Sequence, residues 1–176
     1  FCAAALLALA AAYRFAFVGL YAEGLSATLS RLSEGRVAYL HGRYSVSGWL
    51  WYFPAAVLVK TPIVLLALGG LGAWAALRRP CAQAAWLFLP PLGYFLAALT
   101  SKTQIGYRHV LPFYPFLCLW AGLGAARLWG LGANGRAVLA AAGLWLAVSV
   151  GRNHPRHLSY FNEFVRPGRG HDWLAD

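Results

Sequence analysis

Tyr52-Phe53-Pro54-Ala55-Ala56-Val57-Leu58-Val59-Lys60-Thr61-Pro62 is the stretch that decides how the rest of the chain is read, because an ammonium stands in it with apolar sequence on both sides. A lysine near the centre of a membrane helix costs about 2.5 to 3.5 kcal/mol on insertion scales, so such residues face a bundle interior or a polar cavity. Two prolines frame it. Each removes a backbone donor and frees the carbonyl four residues earlier, Leu50 for Pro54 and Leu58 for Pro62. The stretch predicts a broken helix, with a half-helix over 49–59 at the interface and a span beginning near Thr61. Lys60 then lies at a helix start, facing a polar cavity where it can meet a phosphate. A snorkelling lysine with no substrate role is the alternative.

Outward from this break the chain reads as a polytopic membrane protein. It is 60% hydrophobic and 11% charged over 176 residues, with eight Trp, nine Tyr and ten Phe. One soluble core of that size cannot hide so much apolar surface, and the apolar residues gather into long blocks. A spanning helix needs roughly 20 apolar residues. Five segments come near that length: 1–22, 49–77, 84–100, 110–128 and 137–151. The expected fold is all-α, with about five membrane helices over 1–151 and a polar tail over 152–176. In the loop 23–48, Leu25, Leu29 and Leu32 recur at helical spacing, which predicts a short helix on the membrane surface. Turn chemistry follows at Gly35, Gly42 and Gly48. Gly69-Gly70-Leu71-Gly72 and Gly122-Leu123-Gly124 predict close helix packing. The chain lacks methionine and opens inside an apolar run, which reads as a piece of a longer protein.

The formal charge of +10 does not point to nucleic acid, because the basic residues are spread over short loops rather than along one soluble face. Anionic lipid or a phosphorylated lipid substrate suits them better. Helix alternation puts 23–48, 101–109 and the tail on one side and the connections 78–83 and 127–136 on the other. The first side holds more Lys and Arg but also all five acids, so charge alone leaves the orientation open. Cys2, Cys81 and Cys118 have no metal or redox spacing.

Two further clusters carry candidate chemistry. In Ser101-Lys102-Thr103-Gln104-Ile105-Gly106-Tyr107-Arg108-His109, Arg108 offers a planar fork for phosphate, Lys102 a point charge and Tyr107 a hydroxyl. Anchoring to lipid headgroups is the alternative. The tail carries Asn153-His154-Pro155-Arg156-His157-Leu158-Ser159-Tyr160-Phe161-Asn162-Glu163. Its histidines have no convincing companion ligands for zinc, so no metal is expected. They suit hydrogen bonding to loops or substrate, with Glu163 pairing to an arginine.

Three ordered blocks of this sequence resemble the C-terminal part of family 39-like, lipid-carrier-dependent bacterial membrane glycosyltransferases, relatives of the dolichyl-phosphate-mannose protein mannosyltransferases. They are 41–62, then Gly106-Tyr107-Arg108-His109-Val110-Leu111-Pro112 with Tyr114-Pro115, then His154-Pro155 with Leu158-Ser159-Tyr160-Phe161-Asn162-Glu163. The resemblance implies a C-superfamily glycosyltransferase fold in the cell's inner membrane, with its active face extracytoplasmic and the short basic connections in the cytoplasm. It implies transfer of a hexose or pentose from a polyprenyl-phosphate carrier to an acceptor not identified by the sequence, with inversion and no cofactor. A carboxylate takes the acceptor's proton and cations stabilise the leaving lipid phosphate. The family's catalytic acid lies in an earlier loop, so no catalytic residue is expected in this chain, which should be inactive alone. Lys60, Arg108 and His109 are the candidates for phosphate, with Tyr107 and Lys102 beside them, and His154, His157, Asn162 and Glu163 for the mouth of the pocket. A transporter or a non-catalytic membrane subunit are the rival functions.

Overall fold

The computed structural model describes residues 2–12, 18–34, 37–78, 82–101, 104, 106–166 and 168–174. They are mostly helical, and two compact units divide them, 1–35 and 36–176. The first unit holds α1 (Cys2–Ala12) and α2 (Val18–Glu34). The helix expected from Leu25 and Leu29 is therefore present, beginning earlier than the loop assigned to it, and both leucines are exposed.

The second unit opens with a feature not expected from the sequence, a hairpin of β1 (Ala38–Leu40) and β2 (Arg43–Ser45) with Tyr39 opposite Tyr44. His41 and Gly42 both take positive φ at its turn, 47° and 81°, which matches the right-handed twist of paired strands. Next come α3 (Tyr52–Lys60) and α4 (Ile63–Leu77), bent by 114° at the break between them. The sequence places that break correctly, but Lys60 is the last residue of α3 and not at a helix start as expected. Pro62 cannot donate to Leu58, and Thr61 leaves the helix in an extended conformation with φ −96° and ψ 134°. α5 (Ala82–Leu99) carries Pro90 and Pro91 inside it. A 3₁₀ turn, Tyr107–Phe113, leads into α6 (Tyr114–Trp129), and residues 130–132 turn the chain into α7 (Ala133–Arg152).

Five crossings are more than these helices provide. Among the described residues only Tyr107–Trp129 and Ala133–Arg152 are single helices long and apolar enough to cross a membrane, with the bent α3–α4 pair a third if it counts as one span. The shortfall has physical causes. α4 alone has 15 residues, about 22 Å at the helical rise, against a hydrocarbon core of about 30 Å. Ala84–Leu99 is likewise a shorter apolar stretch, and residues 13–17 of the first expected span lie outside the described residues. The assignment of loops to alternate sides, which assumed five spans, loses its basis. By contrast 137–151, the shortest segment expected, belongs to a 20-residue helix.

Burial is concentrated around α3 rather than along α6 and α7. Tyr52, Phe53, Ala56 and Val59 of α3 form the core with Val110 of the 3₁₀ turn and with Val165 and Leu174 of the tail. Within the two span candidates only 22% and 11% of the apolar window is buried, as expected where lipid rather than protein covers the surface. α4 and α6 meet through glycines. A Cβ on Gly72 would stand 1.7 Å from the Trp120 carbonyl oxygen, and one on Gly124 would stand 2.2 Å from that of Leu68.

Candidate functional site

The tail, 153–174, returns to the α3–α4 break and completes it. The Asn162 side-chain amide donates to the carbonyls of Leu58 (2.5 Å) and Thr61 (2.7 Å), and its backbone N–H donates to Val59 (2.8 Å). The Leu58 carbonyl is the one Pro62 frees, so the cost of breaking the helix is offset by a residue about 100 positions away in sequence. Beside it Lys60 is 7% exposed; its ammonium donates to the Leu158 carbonyl at 3.1 Å and sits 4.3 Å from the centre of the Phe161 ring. A cation at the C-terminal end of α3 also suits the helix dipole. Thr61, fully buried, exchanges hydrogen bonds with the hydroxyls of Tyr114 (2.6 Å) and Tyr107 (3.3 Å). A polar knot thus fills the break.

A second polar device fixes the entry to α3. The Gln104 side chain, 2% exposed, accepts from the Trp49 N–H and donates to the Trp49 carbonyl, each at 2.8 Å. It pairs with that residue as a neighbouring strand would.

A cavity of about 1310 Å³, lined in part by Phe161, lies between α7 and the tail. Ala141, Leu144, Trp145, Val148, Ser149 and Arg152 line it from α7. Their spacing of three and four marks one face of the helix, and over about 16 Å of rise that face passes from apolar to cationic. Arg156 and Arg166 join Arg152 from the tail, with His154 and His171 near them and Glu163 the acid in the lining. Three guanidiniums against one carboxylate leave the cavity positive. Phe161 and Phe164 supply aromatic walls.

Glu163 accepts from the Trp145 indole at 2.9 Å. Burial alone would raise its pKa, but the indole, the Ser149 hydroxyl, its own backbone N–H and the Arg152 charge together hold it below the ordinary value. It is an ionised anchor rather than a proton acceptor near neutrality. Tyr160, hydrogen-bonded to Ser149 at 3.0 Å, has its hydroxyl pKa raised, chiefly by burial, against that hydrogen bond and with the Glu163 charge adding to it.

Of the residues nominated from sequence, His154, Asn162 and Glu163 line this cavity. Lys60 stands outside the lining and reaches it through Phe161; Tyr107 is bound to Thr61. Arg108 is exposed on the 3₁₀ turn, and His109 next to it offers its carbonyl to the Tyr94 hydroxyl at 2.5 Å. Neither lines the cavity. The His157 ring lies 5.5 Å from that of His154, also outside the lining. Lys102 lies outside the described residues. Arg152, Arg156 and Arg166 were not nominated, although an arginine ending an apolar helix and another four residues later is a readable signal. Compared with protein families, with curated proteins and with solved structures, the chain matches none.

Proposed function

We propose that the chain is part of a membrane glycosyltransferase that moves a sugar from a polyprenyl-phosphate carrier, on the extracytoplasmic side of the inner membrane, and that the cavity between α7 and the tail receives the donor's headgroup. One observation carries this reading. The α7 face that lines the cavity is apolar along Ala141, Leu144, Trp145 and Val148 and ends in Arg152, with Arg156 and Arg166 beyond it. An amphiphile with an isoprenoid tail and a phosphate head has the same polarity gradient. The helix carrying that face is long and apolar enough to cross a bilayer, and a crossing would bring its cationic end to where hydrocarbon meets water.

Guanidiniums hold phosphate by paired N–H donors and stabilise the charge that develops as the sugar leaves. The aromatic walls suit the apolar faces of a sugar ring. Lys60 supports the site from behind Phe161, and Arg108 is a second cation to test. The carboxylate that takes the acceptor's proton belongs, by the resemblance, to an earlier loop of such enzymes.

In the full-length protein, Arg152→Gln and Arg166→Gln are each expected to lower turnover of a radiolabelled polyprenyl-phosphate-linked sugar by about tenfold or more, since a charge-assisted hydrogen bond contributes about 1.5 to 3 kcal/mol. Wild-type turnover in both, with the proteins folded, would overturn the assignment. The 114° break with its buried lysine also suits a transporter. Solute flux in proteoliposomes lacking any lipid-linked sugar is the result that would favour that reading.

A further inference from the structure

A second cavity, about 400 Å³, lies beside the first, and Phe164 and Arg166 line both. Its remaining walls come from the hairpin, through Tyr39 and His41, and from the end of the tail, through Arg169, Asp172 and Trp173. We propose that it is a saccharide-binding site. Its assignment as the acceptor end of the reaction rests on the transferase reading above.

Ring systems dominate the walls. The C–H bonds of a sugar carry partial positive charge and meet the negative faces of aromatic rings, so a pyranose stacks where an ordinary polar solute does not. The lining also carries an ion pair, Arg169 Nε to Asp172 Oδ2 at 2.6 Å. It presents donors and an acceptor side by side, the pattern that vicinal hydroxyls need. A purely apolar ligand would strip water from that pair without replacing it. A cationic ligand would meet a net positive lining, two arginines against one aspartate. The volume lies within the range of about 300 to 1,000 Å³ found for small-molecule sites.

The walls are held in place by backbone bonds rather than by side-chain packing alone. The His41 N–H donates to the Trp173 carbonyl at 3.1 Å, Leu40 bridges to Leu174, and the Tyr39 hydroxyl donates to the Asp172 carbonyl at 3.5 Å. The His41 and Trp173 rings lie 4.8 Å apart. Such a platform loses little entropy when a ligand docks. The hairpin thereby gains a use that its three-residue strands would not otherwise suggest.

The test uses the full-length protein in nanodiscs and saturation-transfer NMR with methyl glucuronide, methyl glucoside and methyl glucosaminide. The first two are expected to bind, the glucuronide more tightly than the glucosaminide because the lining is positive. His41→Asn removes a ring but keeps a residue that tolerates positive φ, and Trp173→Leu removes the larger ring. Each is expected to weaken binding by about tenfold, with the thermal unfolding of His41→Asn unchanged. No binding of any of the three sugars, or unchanged binding in both variants, overturns the proposal. If the sugars bind as expected but nothing is transferred from any polyprenyl phosphate, the transferase reading falls and the saccharide site stands. If transfer proceeds and both variants bind as wild type, the reverse holds.

Discussion

Asn162 shows how one side chain can make a broken helix tolerable. Its amide and its backbone N–H engage three of the carbonyls that surround the Thr61–Pro62 break, and the residue is 2% exposed. Each buried acceptor left without a donor costs about 1 to 3 kcal/mol, so Asn162→Ala is expected to destabilise the protein by roughly 2 to 5 kcal/mol. Thermal unfolding in detergent measures this, and Asn153→Ala is the comparison, since that amide makes a single, half-buried bond to the Ser149 carbonyl. Equal melting temperatures for the two variants would show that the break is satisfied in some other way. Part of this arrangement was legible in sequence. Pro62 dictates that the Leu58 carbonyl is freed, and Asn162 stood out in the tail. The pairing of the two was not legible, because nothing local to Pro62 specifies which distant donor folds back onto it. For the same reason Lys60 could be read as costly but not as directed to the Leu158 carbonyl, and the arginines of the cavity looked like scattered charges until α7 placed Arg152 at the end of the face that lines it.

Among the elements, the α4–α6 pair is where glycine identity matters most, and the two glycine clusters divide within themselves. A Cβ on Gly72 or Gly124 would meet backbone atoms of the facing helix at 1.7 and 2.2 Å, whereas one on Gly70 or Gly122 would meet nothing within 4 Å. Backbone cannot rotate out of the way as a side-chain tip can, so the helices must separate and lose the contacts that hold them together in lipid. Gly72→Ala and Gly124→Ala are expected to lower the melting temperature in detergent clearly. Gly70→Ala and Gly122→Ala are expected to be neutral or slightly stabilising, since Ala is the better helix former by about 1 kcal/mol. The same response from all four would refute the packing account. Close packing was readable from the small residues, but the facing pair was not, since that requires the rotation of one helix against the other. Hydropathy alone counts 49–77 as one block long enough to cross; the prolines marked the break in it, but not that the chain turns there by 114°. The hairpin escaped notice because strands of three residues leave no alternation to detect, although Gly42 marked its turn.

For the whole molecule, burial is least along the two helices that are long and apolar enough to cross a membrane. The well-buried cluster sits around α3 with the 3₁₀ turn and the tail, while α6 and α7 leave most of their apolar surface uncovered. A protein that covers its polar knot and exposes such helices has the burial pattern of a chain whose helices meet hydrocarbon. If α7 crosses, its two ends lie on opposite faces, Leu131 in the turn before it and His157 in the tail after it. Replacing Cys2, Cys81 and Cys118 by Ala gives a background in which Leu131→Cys and His157→Cys can be labelled singly. In sealed, oriented membrane vesicles an impermeant maleimide is expected to reach position 157 from the side that carries the cavity and position 131 only after permeabilisation, or the converse in inverted vesicles. Labelling of both positions from one side would mean that α7 does not cross, and the apolar-to-cationic face of the cavity would then no longer run from the hydrocarbon to the membrane surface, which is the arrangement the donor-headgroup proposal requires.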